Sequence, residues 1–216
     1  SKFSNWTDKH DVGDGNDSNL IEALSEEILI LIEKKHYNSV FEYACGNGNM
    51  YKSLGFDLKT KYKGIDISPH LLKQFKEKHK DVDIFEGDVL KYKDSNKYDL
   101  LIANGLLQYF NNKQIRSFLH NADTMMHENS RLICATIPWR NLKFGWETGE
   151  YRKGNNRRRS IGLYRWLRIF FFGDPMGRWF SIYEFKRLAS EAGLEVNFFG
   201  SMTFLYRFNV VLTKKC

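Results

Sequence analysis

Apolar and polar positions along the chain alternate between two periods. Leu20, Ile21, Leu24, Ile28 and Leu31 recur at helical spacing behind a capping Asp17 or Ser18. That helix is predicted to end near Lys35. Ser39-Val40-Phe41-Glu42-Tyr43 then reads as a first strand. A short helix and loop over 51–58 lead to a second strand at 62–67. Ser68 is placed to cap a helix running to about Lys78, with Leu71, Leu72 and Phe75 inward. Further strands are predicted at 82–86, 98–103 and 131–137, with a helix around 113–126 between the last two. Ser181 caps a helix over 182–192 that Gly193 ends, and strands at 194–199 and 207–213 close the chain. Strands alternating with helices predict an α/β fold with a parallel sheet covered on both faces. In such sheets ligands sit off the carboxyl ends of the strands, where strand order reverses.

Residues 140–180 break this rhythm. They hold ten aromatic residues, and ten Lys or Arg against three Asp or Glu. The formal net charge of the chain is +7, so this segment carries all of the excess and the remainder is balanced. Charge confined in this way suits a basic lid over an acidic substrate, or a solvated basic loop. Ser160 is placed to cap a helix with Leu163, Tyr164, Leu167 and Phe171 on one face, a stripe expected to pack on the body. Residues 1–17 are polar, with Phe3 and Trp6 as isolated anchors, and read as an arm. A length of 216 residues fits one domain carrying this arm and a 140–180 insertion. Cys45, Cys134 and Cys216 are too scattered for a disulfide framework or a zinc site, which points to a reducing, cytoplasmic compartment. No apolar run approaches the roughly 20 residues that span a bilayer, and no secretory leader is apparent.

The first strand runs into Ala44-Cys45-Gly46-Asn47-Gly48, three residues after which a dinucleotide fingerprint would want a small side chain. Tyr51 stands in that place instead. Glu42 lies four positions before Gly46, and its carboxylate would repel a pyrophosphate. A nucleotide-like ligand with positive charge and no phosphate fits better. Asp66, twenty residues after Gly46, can accept hydrogen bonds from both hydroxyls of a ribose. Asp88 can accept from an exocyclic adenine amine, and Val89 can donate its N–H to a ring nitrogen. Asn104 and Gly105 follow the fourth strand on the same edge, where a small amide and backbone can meet a charged centre. Ordinary turn chemistry is the competing reading of each residue alone.

With Glu42 to Gly48, Gly64-Ile65-Asp66-Ile67-Ser68, Gly87-Asp88 and Tyr98 to Gly105 in this order, the sequence resembles the class I S-adenosylmethionine-dependent methyltransferases over 18–138 and 181–213. The resemblance implies a Rossmann-like, seven-stranded sheet whose last strand is antiparallel. It implies S-adenosyl-L-methionine as cofactor, S-adenosyl-L-homocysteine as product and no metal. Glu42, Ala44, Gly46, Gly48 and Asn49 would hold the methionine part, Asp66 and Ile67 the ribose, Asp88 and Val89 the adenine, with Asn104 and Gly105 beside them. Cys45 falls where relatives have a small residue and is read as packing. Glu42 then meets the cationic end of the cofactor, or caps the loop through backbone N–H groups.

Methyl transfer is an in-line displacement, so a base is needed only for a neutral hydroxyl or a protonated amine. His36, His79, His120 and His127 fall on helices or their ends, away from the expected mouth; His10 and His70 lie nearer it. Tyr109 is the candidate for polarising or orienting the nucleophile, with a core aromatic as the competing reading. Gln108, Trp139, Arg140, Arg157 and Arg158 are assigned to the acceptor, Arg152, Lys153 and Arg159 adding charge. The acceptor is then a small anion methylated on O or N, such as a nucleotide-linked sugar or another phosphorylated metabolite of polysaccharide or natural-product biosynthesis. An RNA or protein methyltransferase is the first rival; confined charge and the lack of an Asp/Asn-Pro-Pro-Tyr motif speak against it. A non-enzymatic cofactor-binding module and a nicotinamide dehydrogenase are the others, the last disfavoured by Glu42 and Tyr51.

Overall fold

The computed structural model describes residues 18–33, 35–56, 59–148, 150–151, 174 and 176–215. Helix α1 (Ser18–Leu31) precedes strand β1 (Ser39–Tyr43), followed by α2 (Asn49–Leu54), β2 (Lys61–Asp66), α3 (Pro69–Lys78) and β3 (Asp83–Glu86). Strand β4 (Tyr98–Asn104), helix α4 (Asn112–Thr124) and strand β5 (Met126–Pro138) come next. A short α5 (Lys143–Thr148), then α6 (Ile182–Glu191), β6 (Leu194–Gly200) and β7 (Arg207–Lys214) complete the described residues.

Seven strands form one sheet in the order β3-β2-β1-β4-β5-β7-β6. The first five run parallel, while β7 is antiparallel to both β5 and β6, between which it lies. Strand order reverses between β1 and β4, and the carboxyl ends of that pair flank the expected ligand crevice. Because β7 is antiparallel, its first residue, Arg207, sits at the same rim, opposite Pro138 at the end of β5.

Period-two alternation sends neighbouring strand residues into two separate cores. Phe41, Tyr43, Leu101, Ala103, Leu132 and Cys134 pack against α4 and α6 through Phe118, Leu119, Phe185 and Leu188. Val40, Leu100, Ile102, Ile133 and Ala135 pack against α1, α2 and α3 through Ile28, Met50 and Phe75. Caps fix where the helices begin. Ser68 Oγ accepts from Leu71 N at 3.4 Å. Asn111 and Gln114 form a reciprocal capping box, each backbone N–H donating to the other's side chain at 2.9 Å. Ser181 Oγ accepts from Glu184 N at 3.1 Å.

Three boundaries differ from the sequence reading. Helix α1 stops at Leu31, because Glu33 takes a left-handed φ of 57° that ends the helical run. Strand β5 starts at Met126, five residues early. Met126 pairs with Tyr98 before a register shift, and Ser130 Oγ donates to Tyr98 O at 2.6 Å, tying down a polar stretch without strand periodicity. The basic insertion opens with a 3-10 turn (Arg140–Leu142) and α5, where no helix was expected. The N-terminal arm and the helix expected after Ser160 lie outside the described residues.

Candidate active site

The loop between β1 and α2 crosses the crevice with Ala44, Gly46 and Gly48 at φ values of 54°, 55° and 80°. Left-handed backbone is open to glycine and costs an alanine energy, so the turn is held from outside. Cys45 N donates to Ile65 O and Gly48 N to Cys45 O, both at 3.1 Å. A Cβ on Gly48 would lie 2.6 Å from the Phe75 ring, so α3 packs directly on the loop. Asn49 opens α2, its N–H reaching Asn47 Oδ1 at 3.3 Å. Asp66 completes the brace from the end of β2. Its Oδ2 accepts from Gly46 N at 2.9 Å and its Oδ1 from Ser68 N at 2.8 Å. Each oxygen keeps a further lone pair for a hydroxyl. Ile67, the next residue, is half-buried at the rim.

Glu42 lies beneath this loop, only 2% exposed. The Tyr62 hydroxyl donates to its Oε2 at 2.5 Å. Burial is the main force on this carboxyl and, with the charge of Asp66, pushes its pKa up to about 8 against the opposing Tyr62 bond. Burial likewise raises Asp66, against the backbone N–H groups that favour its ionised form. Among the described residues no cation acts on either carboxyl. A pyrophosphate here would drive both buried acids further toward their neutral forms, whereas a cation would favour their ionised forms. The donor set therefore fits a cationic, phosphate-free ligand. Burial pushes the Cys45 thiol well up, so it stays neutral and serves packing.

The remaining strand ends continue the rim. Gly87 N donates to Asp66 O at 2.9 Å, and Asp88 Oδ1 accepts from Leu90 N at 3.0 Å, which orients the turn holding buried Val89. Asn104 Oδ1 accepts from Thr136 Oγ1 at 2.9 Å, and Gly105 N donates to Ala135 O at 3.2 Å. Residues 40–129 contain the loop and the ends of β2, β3 and β4, and they match the family model described as a methyltransferase domain.

A methyltransferase domain is thus matched over residues 40–129.

An uncharacterized methyltransferase of Anoxybacillus flavithermus is 26% identical over 137 residues, 62% of this chain. The chain spans 64% of the length of that relative. Among solved structures, an S-adenosylmethionine-dependent methyltransferase from Clostridium acetobutylicum shares the fold with a TM-score of 0.67 at 12% identity, covering 91% of this chain and 92% of its own. Magnesium protoporphyrin IX methyltransferase from Synechocystis, solved with bound S-adenosylhomocysteine, has a TM-score of 0.60 at 13% identity, covering 92% and 84%.

At the same rim, Gln108 and Tyr109 lie in a 3-10 turn (Leu107–Tyr109) directly after β4. Gln108 is buried and its Oε1 has no partner; Tyr109 is half-buried against the core. Trp139 leaves β5 with its ring 6.1 Å from Phe208. Arg140 does not point a free guanidinium at the rim: it donates to Trp179 O at 3.1 Å and Glu184 Oε2 at 2.8 Å. Arg157, Arg158 and the rest of their basic run lie outside the described residues, as does His10.

The sequence reading missed a buried polar chain behind the rim. Thr136 sits in a β5 register shift at φ 58°, a left-handed conformation that costs a β-branched residue about 1–3 kcal/mol. Three contacts hold it there: its N–H donates to Asn209 Oδ1 at 2.8 Å, Arg207 Nη1 donates to its carbonyl at 2.8 Å, and its hydroxyl donates to Asn104. Asn209 Nδ2 in turn donates to Glu27 Oε1 at 2.5 Å. Glu27 Oε2 also accepts from Ser201 Oγ and Thr203 N, each at 3.1 Å. A signal was available. Glu27 falls three residues after Leu24 and four before Leu31, on the apolar face of α1, and Arg207 and Asn209 flank Phe208 ahead of the apolar run Val210-Val211-Leu212 of β7.

Proposed function

We propose that this protein is an S-adenosylmethionine-dependent methyltransferase that moves a methyl group to an oxygen or nitrogen of a small anionic acceptor. One observation carries the reading: two buried carboxyls with no cation partner among the described residues, Glu42 and Asp66, flank a left-handed glycine loop at the point where strand order reverses. Glu42, Ala44, Gly46, Gly48 and Asn49 take the methionine end. Asp66 offers its spare lone pairs to the ribose, with Ile67 alongside. Asp88 and Val89 read the adenine, while Asn104 and Gly105 border the charged centre.

The bound cofactor supplies a methyl group on an already activated sulfonium. What remains for the chain is to hold the acceptor in line and exclude water. Tyr109 is placed to orient the nucleophile, and Gln108 and Trp139 to bound the acceptor. The basic insertion, through Arg157 and Arg158, supplies the positive field that draws in an anion, such as a nucleotide-linked sugar or another phosphorylated metabolite, while Arg140, paired with Glu184, holds the base of the insertion. The whole forms one domain with an arm at 1–17 and a lid at 140–180, working in the cytoplasm.

Titration calorimetry with S-adenosylmethionine, S-adenosylhomocysteine and NADH tests the reading. Saturable binding of both S-adenosyl compounds and none of NADH is expected. A folded sample that ignores the S-adenosyl compounds would overturn it.

A further inference from the structure

Arg207 is 5% exposed at the carboxyl rim, the first residue of β7. Its Nη1 is engaged by Thr136 O, Nη2 faces the Met176 sulfur at 3.9 Å, and Nε has no partner. The guanidinium lies beside the rings of Phe204 and Tyr206, each centroid 5.4 Å away. Among the described residues no Asp or Glu acts on it; Tyr206, which also shares a side-chain hydrogen bond with it, and Tyr109 are the polar groups nearby. A buried cation without an anion is costly, and an unpaired buried donor costs about 1–3 kcal/mol more.

Gln108 supplies the second observation. It is 5% exposed, and its Oε1 is likewise without a partner. The segment that touches Arg207 through Met176 also touches Gln108. A Cβ on Gly177 would lie 2.5 Å from Gln108 O, and Arg178 N donates to that same oxygen at 2.8 Å. The segment Met176–Arg178 therefore links two incompletely satisfied polar groups, one cationic, near Tyr109. The nearby cations do not share the task, since Arg140 and Arg178 are both paired with Glu184.

We propose that the Nε/Nη2 edge of Arg207, with the Gln108 amide beside it, is the subsite for a carboxylate of the acceptor. The inference rests on the methyltransferase reading and narrows its anionic acceptor. Nε and Nη2 share one edge of the planar guanidinium, and two parallel N–H groups match the two oxygens of a carboxylate. A single cation suits a single negative charge; a phosphate dianion would be left half neutralised. With Nη1 fixed on Thr136 O, the edge is held in orientation before the ligand arrives, which lowers the cost of binding. Arg207 and Gln108 are acceptor-binding groups here and take no part in proton transfer.

The test uses the full chain saturated with S-adenosylhomocysteine, with acetate, benzoate and phenyl phosphate as probes in thermal-shift and calorimetric titrations. Wild type is expected to bind benzoate and acetate more tightly than phenyl phosphate. Arg207→Lys keeps the charge but loses the flat edge, and benzoate affinity should fall about tenfold. Gln108→Glu places a carboxylate beside Arg207, so it should raise Tm by about 3 °C and abolish benzoate binding. Both variants should bind S-adenosylhomocysteine like wild type. The subsite is overturned if neither carboxylate binds, if binding survives both substitutions, or if phenyl phosphate binds at least as tightly. Failure of wild type to bind S-adenosylhomocysteine would instead strike the cofactor reading, and the benzoate titration on cofactor-free protein would still report on Arg207.

Discussion

Glu42→Gln separates the charge of the buried carboxyl from its shape. With a pKa of about 8 against an ordinary 4.5, Glu42 in the ligand-free protein is about nine-tenths protonated at pH 7. Its folded pKa is raised, so the stability it contributes is fully present below pH 4.5 and is lost as pH rises toward 8. Each unit of that window costs about 1.4 kcal/mol, so wild type should lose several kcal/mol on going from pH 5 to 8, in order of magnitude. The glutamine variant, which still accepts from Tyr62, should be flat over the same range. A cation bound at the methionine end reverses the preference. Restoring an ordinary pKa would release close to 0.9 proton per site at pH 7, and ligand affinity would rise about tenfold from pH 6 to 7. Calorimetric titration of S-adenosylhomocysteine in two buffers of different ionisation enthalpy counts that proton directly. Release of near one proton in wild type and near none in Glu42→Gln is the expected result. If wild type releases none, or if the variant releases as much, Glu42 does not sense the cofactor's charge and caps the loop alone.

Three further substitutions probe the frame around the site. Asp66→Asn has a single acceptor oxygen for Gly46 N and Ser68 N, so one buried donor is stranded at a cost of about 1–3 kcal/mol in urea unfolding, and S-adenosylhomocysteine affinity should fall in parallel. Gly48→Ala combines a φ of 80° with a Cβ 2.6 Å from the Phe75 ring, and should lose about 2–4 kcal/mol; Phe75→Leu in the same chain should recover part of that loss. Glu27→Gln weakens the acceptor for Asn209, Ser201 and Thr203 and should lower stability by about 2 kcal/mol, with faster hydrogen exchange at Thr136 N–H as the sign that the buried chain has loosened.

Much of the fold is legible because its signals are local and periodic. The alternation of Val40 and Ile102 against Phe41 and Ala103 assigns each strand two faces before any contact is known, and the caps at Ser68 and Ser181 stand where the sequence places them. What failed was also local in cause. The start of β5 was hidden because residues 127–131 pair through a register shift and a serine side chain, which impose no alternation. The left-handed end of α1 at Glu33 needs no glycine and so leaves no mark.

The same distinction runs through the site. Glu42, Gly46, Asp66, Asp88 and Asn104 lie at or near the carboxyl ends of strands whose topology puts them on one rim, so contiguous motifs are enough to assign them to that rim. The meaning of Arg207 and Gln108 is different in kind. It lies in hydrogen bonds that are not made, and a missing partner is a property of the packed protein alone. Arg207 is separated from Thr136 by 71 residues and meets it only because β7 is inserted beside β5. That insertion also requires the antiparallel turn that delivers a charged residue to the rim, where a parallel strand would end and not begin. A cofactor shared across a superfamily can be met by residues in short motifs at fixed strand ends. An acceptor particular to one chain must be met by whatever the turn after β4, the late strands and the insertion bring to the crevice, and two of the buried polar atoms without a partner among the described residues, Gln108 Oε1 and Arg207 Nε, lie in that turn and at the start of β7.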